Sequence, residues 1–341
     1  MQNASNNLIT ANNNKTVYNI GVFNSGNGEI LMRFILSRQL TKFIALFISL
    51  LVLNGCEIVQ WKEKHDHDQL FAQGYQEHLL PLKEGGQLKY WVGGTGEPLL
   101  LIHGFGGTAV ATWKDEMLEL SKHYQVIAPD LAWFGESYSM GPPNLTTQTE
   151  TMWQLLDALG IDEVNVAGIS YGGFVTYNMM MKPDRIKKGV IIASPGPLFS
   201  DDDLAELCLR AGVEKPEQLF VPTNSDEVKR LFDNVFYEPK SMPNFVAEQI
   251  YSGYFSPFKK EKEQLIQSLV VDREHISQAD TAVFPPTMLI WGDSDKIFPL
   301  KNGIALSQYL NSAIVVLPET AHGVTNEQPD TVTKLLKIFI S

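Results

Sequence analysis

The sequence predicts an α/β fold, a mostly parallel, eight-stranded sheet with helices on both faces and an inserted helical cap. Three observations carry this. Short continuous apolar runs recur along the chain, at Leu99–Ile102, Gln125–Ala128, Val164–Ala167, Val190–Ala193, Met288–Trp291 and Ile314–Leu317. Such runs read as strands buried on both faces, as in parallel sheets. Helical stretches separate most of them, and alternating strand and helix gives a parallel sheet covered on both sides. The alternation then lapses between about Pro197 and Pro285, where Asp201–Ala211, Asp226–Tyr237 and Asn244–Val271 read as helices without an intervening strand. An insertion of that kind covers the strands' carboxyl ends, where open α/β sheets bind ligands.

The elements follow in chain order. Residues 1–31 are polar and Asn-rich, a polar extension upstream of Met32, which is the expected true start. Residues 32–55 have the layout of a secretory leader. Arg33, Arg38 and Lys42 form a basic region, and Phe43–Leu53 is an apolar run of 11 residues, about half the length a membrane-spanning helix needs. Leu53-Asn54-Gly55-Cys56 resembles a bacterial lipobox. That resemblance implies cleavage before Cys56, lipidation of Cys56 and a membrane partner reached through the lipid anchor. Glu57 is not the Asp that often retains such proteins at an inner membrane, which favours the outer membrane of a two-membrane cell. Residues 56–76 read as a tether, and Glu63–Asp68 within it as a solvated stretch rather than a metal site.

The folded part is expected to divide into a first core segment (77–197), the helical cap (198–284) and a second core segment (285–341). It opens with a hairpin, His78–Leu82 and Gln87–Val92, turning at Lys83-Glu84-Gly85-Gly86. The clearest helix is Thr147–Leu159: Thr147 and Glu150 match a capping box, Met152, Leu155, Leu156 and Leu159 form one stripe, and Gly160 ends it.

Composition sets outer bounds. The 341 residues are 44% hydrophobic and 19% charged, ordinary for a globular chain. A net charge of −12 leaves no electrostatic footprint for nucleic acid. Two cysteines, Cys56 and Cys208, exclude a disulfide scaffold and a multi-thiolate zinc site.

The chemistry is concentrated in Gly168-Ile169-Ser170-Tyr171-Gly172. The pentapeptide alone is weak evidence, but it follows a strand and opens a helix. Ser170 then sits on a tight turn that admits only glycine beside it, above a helix N-terminus that favours developing negative charge. A serine hydroxyl needs a base. His322 follows the last strand and Asp295 the one before it, with Asp293 as the alternative acid. All three follow the carboxyl ends of predicted strands, so they can converge.

With these motifs in place, the chain resembles the α/β-hydrolase family from about Pro98 to Phe339, the cap excepted. His103-Gly104-Phe105-Gly106-Gly107 resembles its oxyanion loop, Pro129-Asp130-Leu131 through Ser137 its P-D-L-x-G-x-G-x-S segment, and Trp291-Gly292 with Asp295 its acid loop. The resemblance implies a serine hydrolase with Ser170 as nucleophile, His322 as base and Asp295 as acid, the backbone N–H groups of Phe105 and Tyr171 as oxyanion hole, and no cofactor or metal. His103 either shapes that loop or simply packs. Ala132-Trp133 departs from the usual Pro-Gly, and Tyr171 stands where Met is frequent. The cap and the anchor together resemble bacterial lipoprotein esterases and lipases, so a small-molecule carboxylic ester is the expected substrate. The same skeleton serves hydrolases of carbon–carbon bonds in ring-fission products and perhydrolases. A catalytically silent binding lipoprotein is the reading from another class.

Overall fold

A nine-stranded sheet forms the body in the computed structural model, which describes residues 57–341. The expectations for the extension, the leader and Cys56 lie outside the described residues. The strands are β1 (Gln76–Pro81), β2 (Gly86–Gly93), β3 (Glu97–Ile102), β4 (Tyr124–Pro129), β5 (Tyr138–Ser139), β6 (Val164–Ile169), β7 (Ile186–Ile192), β8 (Thr287–Gly292) and β9 (Ala313–Leu317). Eight lie side by side in the order β1-β2-β4-β3-β6-β7-β8-β9, and the two-residue β5 pairs with β2 at the side. From β4 to β9 every pairing is parallel, while the β1–β2 hairpin joins β4 antiparallel. The eight expected strands are therefore all present.

The apolar runs of β3, β4, β6, β7 and β8 are buried because helices cover both faces, and their side chains form two hydrophobic clusters, one per face; the run Ile314–Leu317 differs from expectation, because β9 is an edge strand and its Val316 is exposed. Leu100, Ile102, Val166 and Ile191 fall in one, and Leu99, Leu101, Ala167 and Val190 in the other. This is the strand period of two, with both sets apolar. The helices of the body are α1 (Ile58–Ala72), α2 (Ala109–Leu120), α3 (Leu145–Ala158) and α4 (Tyr171–Met180). The cap follows as α5 (Asp201–Ala211), α6 (Glu217–Phe220), α7 (Ser225–Val235), α8 (Asn244–Ile250) and α9 (Lys259–Ile276). The chain returns to the body with α10 (Leu300–Leu310), α11 (Val324–Glu327) and α12 (Pro329–Ile340).

Three expectations are corrected. Residues 57–76 are not a solvated tether: α1 occupies most of them and docks on the body. Its Leu70 is buried in a core cluster, and His67 and Phe71 pack on Trp91 at ring distances of 4.8 and 5.2 Å. Helix α3 begins earlier than Thr147, because Asn144 is its cap, its side chain accepting from Thr147 N at 2.9 Å. The helix expected across Asn244–Val271 is broken. A π-helical turn, Tyr251–Phe255, follows α8, and Phe258 enters the left-handed region (φ 53°) before α9 starts. Pro257 lies at this break and cannot donate to a continuing helix.

The cap is not a loose lid. Leu207, Leu219, Val228, Leu231, Leu265 and Ile276 are buried in the same cluster as one face of the sheet. Of the cap aromatics, Phe255 is buried, Phe232 and Phe236 pack on each other at 5.5 Å, and Phe245 stays exposed.

Candidate active site

Sheet order brings the site together. The chain steps outward from β3 to β4 and back across to β6, so the loops after β3 and β6 emerge side by side. Ser170 occupies the turn from β6 to α4 at φ 56°, ψ −120°. A non-glycine residue there stores strain of about 1–3 kcal/mol. Its N–H donates to Ile192 O at 2.9 Å, which fixes the turn to β7. The flanking glycines have no alternative: a Cβ on Gly168 would collide with Gly172 O, and one on Gly172 with the carbonyls of Ile102 and His103.

Three predicted residues meet in one hydrogen-bonded chain. Ser170 Oγ lies 2.9 Å from His322 Nε2, and His322 Nδ1 lies 2.9 Å from Asp295 Oδ2. All three are buried. The other Asp295 oxygen, Oδ1, accepts from the N–H of Ile297 at 2.8 Å and of Phe298 at 2.9 Å. Those donors turn Oδ2 toward the imidazole. Asp295 has no donor proton in its ionised form, so Nδ1 carries the hydrogen and Nε2 is left to accept from the serine. The Phe298 ring meets His322 edge-on at 5.4 Å and walls the imidazole from solvent. Asp293, the alternative acid, is elsewhere: its Oδ1 accepts from the Ser294 hydroxyl at 2.8 Å, which lowers its pKa, and it faces solvent.

Phe105 and Tyr171 line the same pocket as Ser170. As the first residue of α4, Tyr171 has an N–H with no intrahelical acceptor. The oxyanion loop comes close: a Cβ on Gly104 would stand 3.1 Å from Ser170 Cβ. His103 shapes this loop. Its Nε2 accepts from Leu131 N at 2.8 Å, so Nδ1 is the protonated nitrogen and donates to Gly104 O at 2.7 Å. Burial lowers its pKa to about 4, which keeps the ring neutral. Asp130 ties the same region down by accepting from Ala109 N, at the start of α2, at 2.8 Å. Burial raises its carboxyl to about 7.

The departures have physical readings. Trp133 fills core rather than narrowing a pocket, since it is 2% exposed within the main cluster. It does so at φ 68°, in a backbone conformation that suits glycine. Gln148 holds the strained loop, accepting from Ala132 N at 3.0 Å and donating to Ala132 O at 2.9 Å. Tyr171 is buried, its ring 5.9 Å from Phe105, and burial pushes its hydroxyl well above the ordinary tyrosine value.

Two site-supporting residues carry no sequence signal. Glu327, in α11, accepts from Ala321 N at 2.8 Å with one oxygen and from Tyr237 N at 2.6 Å with the other. It thereby joins the residue before His322 to the end of the cap's α7. Lys262, buried in α9, donates to Tyr254 O at 2.6 Å and Pro257 O at 2.7 Å, with its ammonium 5.2 Å above the Phe134 ring. Burial lowers its pKa to about 8. It staples the π-helical turn whose Phe255 closes on Gly106, where a Cβ would be 2.7 Å from the phenyl ring.

A pocket opens from Ser170 between body and cap. Its walls are apolar, formed chiefly by Phe105, Phe174, Phe199, Phe220, Leu269 and Phe298, with Arg273 as a charged member. That guanidinium is already engaged, donating to Phe199 O and to Asp201. The cavity volume is about 30 Å³, roughly two waters' worth and far below the ~300 Å³ and more of a substrate-filled pocket.

The geometry is that of a hydroxyl, an imidazole and an orienting carboxylate in one hydrogen-bonded chain, and comparison with known proteins gives the fold's family. The alpha/beta hydrolase fold family matches residues 97–325, about two thirds of the chain, and the chain belongs to that family. It is 26% identical over 265 residues to a 2-hydroxy-6-oxo-2,4-heptadienoate hydrolase of Pseudomonas putida, covering 73% of this chain and 90% of the relative. It is 28% identical over 250 residues to Lipase 1 of Psychrobacter immobilis, covering 70% and 76%. A putative lipase from Acinetobacter baumannii superposes with a TM-score of 0.70 at 21% identity, covering 82% of this chain and 95% of that one, a likeness of fold. The chain is thus a hydrolase of the α/β fold, with relatives that include both lipases and carbon–carbon bond hydrolases.

Proposed function

We propose that the protein is a serine hydrolase of carboxylic esters that works through an acyl-enzyme. The observation that carries this is the continuous chain Ser170–His322–Asp295 at 2.9 Å per link, opening into an apolar pocket. Ser170 Oγ attacks the ester carbonyl and passes its proton to His322 Nε2. The tetrahedral oxyanion is held by the N–H groups of Tyr171 and Phe105, each such donor worth about 10²–10³ in rate. His322 returns the proton to the leaving alcohol, and water, deprotonated by the same imidazole, releases the acid. Asp295 stabilises the imidazolium throughout.

The apolar walls favour an alkyl or aryl acyl group. One observation favours a second reading, the hydrolysis of a carbon–carbon bond in an anionic dienoate: Arg273 is a cation in the pocket wall. Its existing pairing with Asp201 weighs against that role. We further propose that the enzyme is held at the cell envelope through a lipid on Cys56; the leader pattern and Leu53-Asn54-Gly55-Cys56 support this. Residues 57–341, wild type and Ser170→Ala, assayed on p-nitrophenyl esters of increasing acyl length, test the ester reading. Turnover in the wild type that Ser170→Ala abolishes is expected. Inertness on every ester, with turnover of a ring-fission dienoate, overturns it.

A further inference from the structure

Helix α1 and the edge of the cap present one outward face. Val59 N donates to Gln249 Oε1 of α8 at 3.0 Å. One turn further along α1, the Glu63 carboxylate is near enough to the Tyr254 hydroxyl of the π-helical turn to add to the rise in its pKa that burial causes. The Val59–Gln249 bond fixes the first turn of α1 against α8 at the edge of the cap. Beside them, three large apolar side chains stand in solvent: Ile58 (47% exposed), Trp61 (66%) and Phe245 (51%). Ile58 adjoins Val59, and Trp61 is one turn on from Ile58. Phe245 is four residues before Gln249, on the same side of α8. The Val59–Gln249 bond sets the first turn of α1, which carries Ile58 and Trp61 (its ring stacked on His65), beside α8, which carries Phe245. Large apolar side chains standing singly in solvent are ordinary, whereas several gathered together mark a contact surface.

The direction of the chain says what that surface meets. Cys56, the residue proposed to carry the lipid, lies two residues before Ile58. With the chain held at a membrane there, the first turn of α1 starts at the bilayer surface. We propose that Ile58, Trp61 and Phe245 form a lipid-docking face that seats α1 and the cap's edge in the headgroup region of a phospholipid bilayer. This rests on the membrane attachment proposed above and is independent of the ester chemistry. A net charge of −12 opposes attraction to anionic lipid, so the face works by burying apolar surface, with Trp61 an amphipathic ring suited to that depth. The neighbouring Lys62 and Lys64 have stems long enough to keep their ammonium groups in water.

Residues 57–341 hold all nine strands and both core clusters, so the test uses this body, carrying Ser170→Ala and no lipid anchor. Co-sedimentation with phosphatidylcholine vesicles is expected to show binding that neither added salt nor added phosphatidylglycerol strengthens. Trp61→Ser and Phe245→Ser, both at exposed positions, should each weaken the partition coefficient about tenfold, with unchanged melting temperature. Absence of vesicle binding overturns the proposal. So does binding that both substitutions leave intact, or binding that requires phosphatidylglycerol and is lost in salt. Vesicle binding by a protein that hydrolyses no ester would sink the proposed reaction and leave the docking face standing.

Discussion

Replacing Asp295 by Asn perturbs one atom in the site and has a consequence that the hydrogen bonds determine. Asp295 Oδ1 accepts from two backbone N–H groups, at 2.8 and 2.9 Å, while Oδ2 faces His322 Nδ1 at 2.9 Å. An asparagine amide has one acceptor oxygen and one donor nitrogen. Pointing the oxygen at the imidazole would set the NH₂ against two N–H donors, leaving buried donors unpaired at about 1–3 kcal/mol each. The amide therefore keeps its oxygen on Ile297 and Phe298 and turns its NH₂ toward His322. The imidazole responds by moving its hydrogen to Nε2, and Ser170 faces a donor where it needs a base. A wrong tautomer of this kind costs about 10⁴ in kcat, which is about 5.4 kcal/mol of barrier. The assay is kcat on the best p-nitrophenyl ester at pH 7–8, with thermal melting to show that the variant is folded. A folded Asp295→Asn protein with a tenth or more of wild-type turnover would refute the reasoning, and would point to Asp293 as the working acid.

Other predictions concern the supports of the site. Glu327→Gln leaves one of Ala321 N and Tyr237 N without its carboxylate acceptor; a urea titration should show a loss of about 2 kcal/mol, and kcat should fall with it. Trp133→Gly relieves the positive φ while Trp133→Ala does not, so the glycine variant should be about 1 kcal/mol the more stable of the two, against the usual order, although both lose several kcal/mol of packing. Asp130 has a folded pKa of about 7, raised by burial from an ordinary value near 3.8. Its contribution to stability is complete below that ordinary value and is lost as pH rises through 7, because the native state goes on holding a proton that the unfolded chain has released. The stability difference between wild type and Asp130→Asn should therefore shift against the wild type between pH 4 and 7 and level off above. Parallel denaturation series across that range check it.

The parts of this molecule that were legible in the sequence are those whose physics is local. Each core strand announced itself through an apolar run, because a strand buried on both faces has no polar side to show. Ser170 was legible because a nucleophile on a tight turn requires small neighbours, and Gly168 and Gly172 are those neighbours. The errors came where distant contacts decide. Helix α1 has no apolar stripe along its length. It is held by Leu70, Phe71 and His67 at one end and by a bond to the cap at the other, which no local pattern reveals. Glu327 reads as one more surface acid until the fold brings Ala321 and Tyr237 to its two oxygens. The break before α9 did have a signal, Pro257, and the regular helical character on either side of it overrode that signal. The choice of Asn144 over Thr147 as helix cap is a contest between two good capping residues, and Asn144 wins by accepting from Thr147 N.

The measurement closest to the central claim is covalent labelling of the nucleophile. A fluorophosphonate probe phosphonylates a serine only when a neighbouring base has activated it. The account predicts stoichiometric labelling that peptide mass spectrometry maps to Ser170, abolished in Ser170→Ala and strongly slowed in His322→Ala and Asp295→Asn. A folded wild-type protein that takes up no probe, or takes it up on another residue, would contradict it.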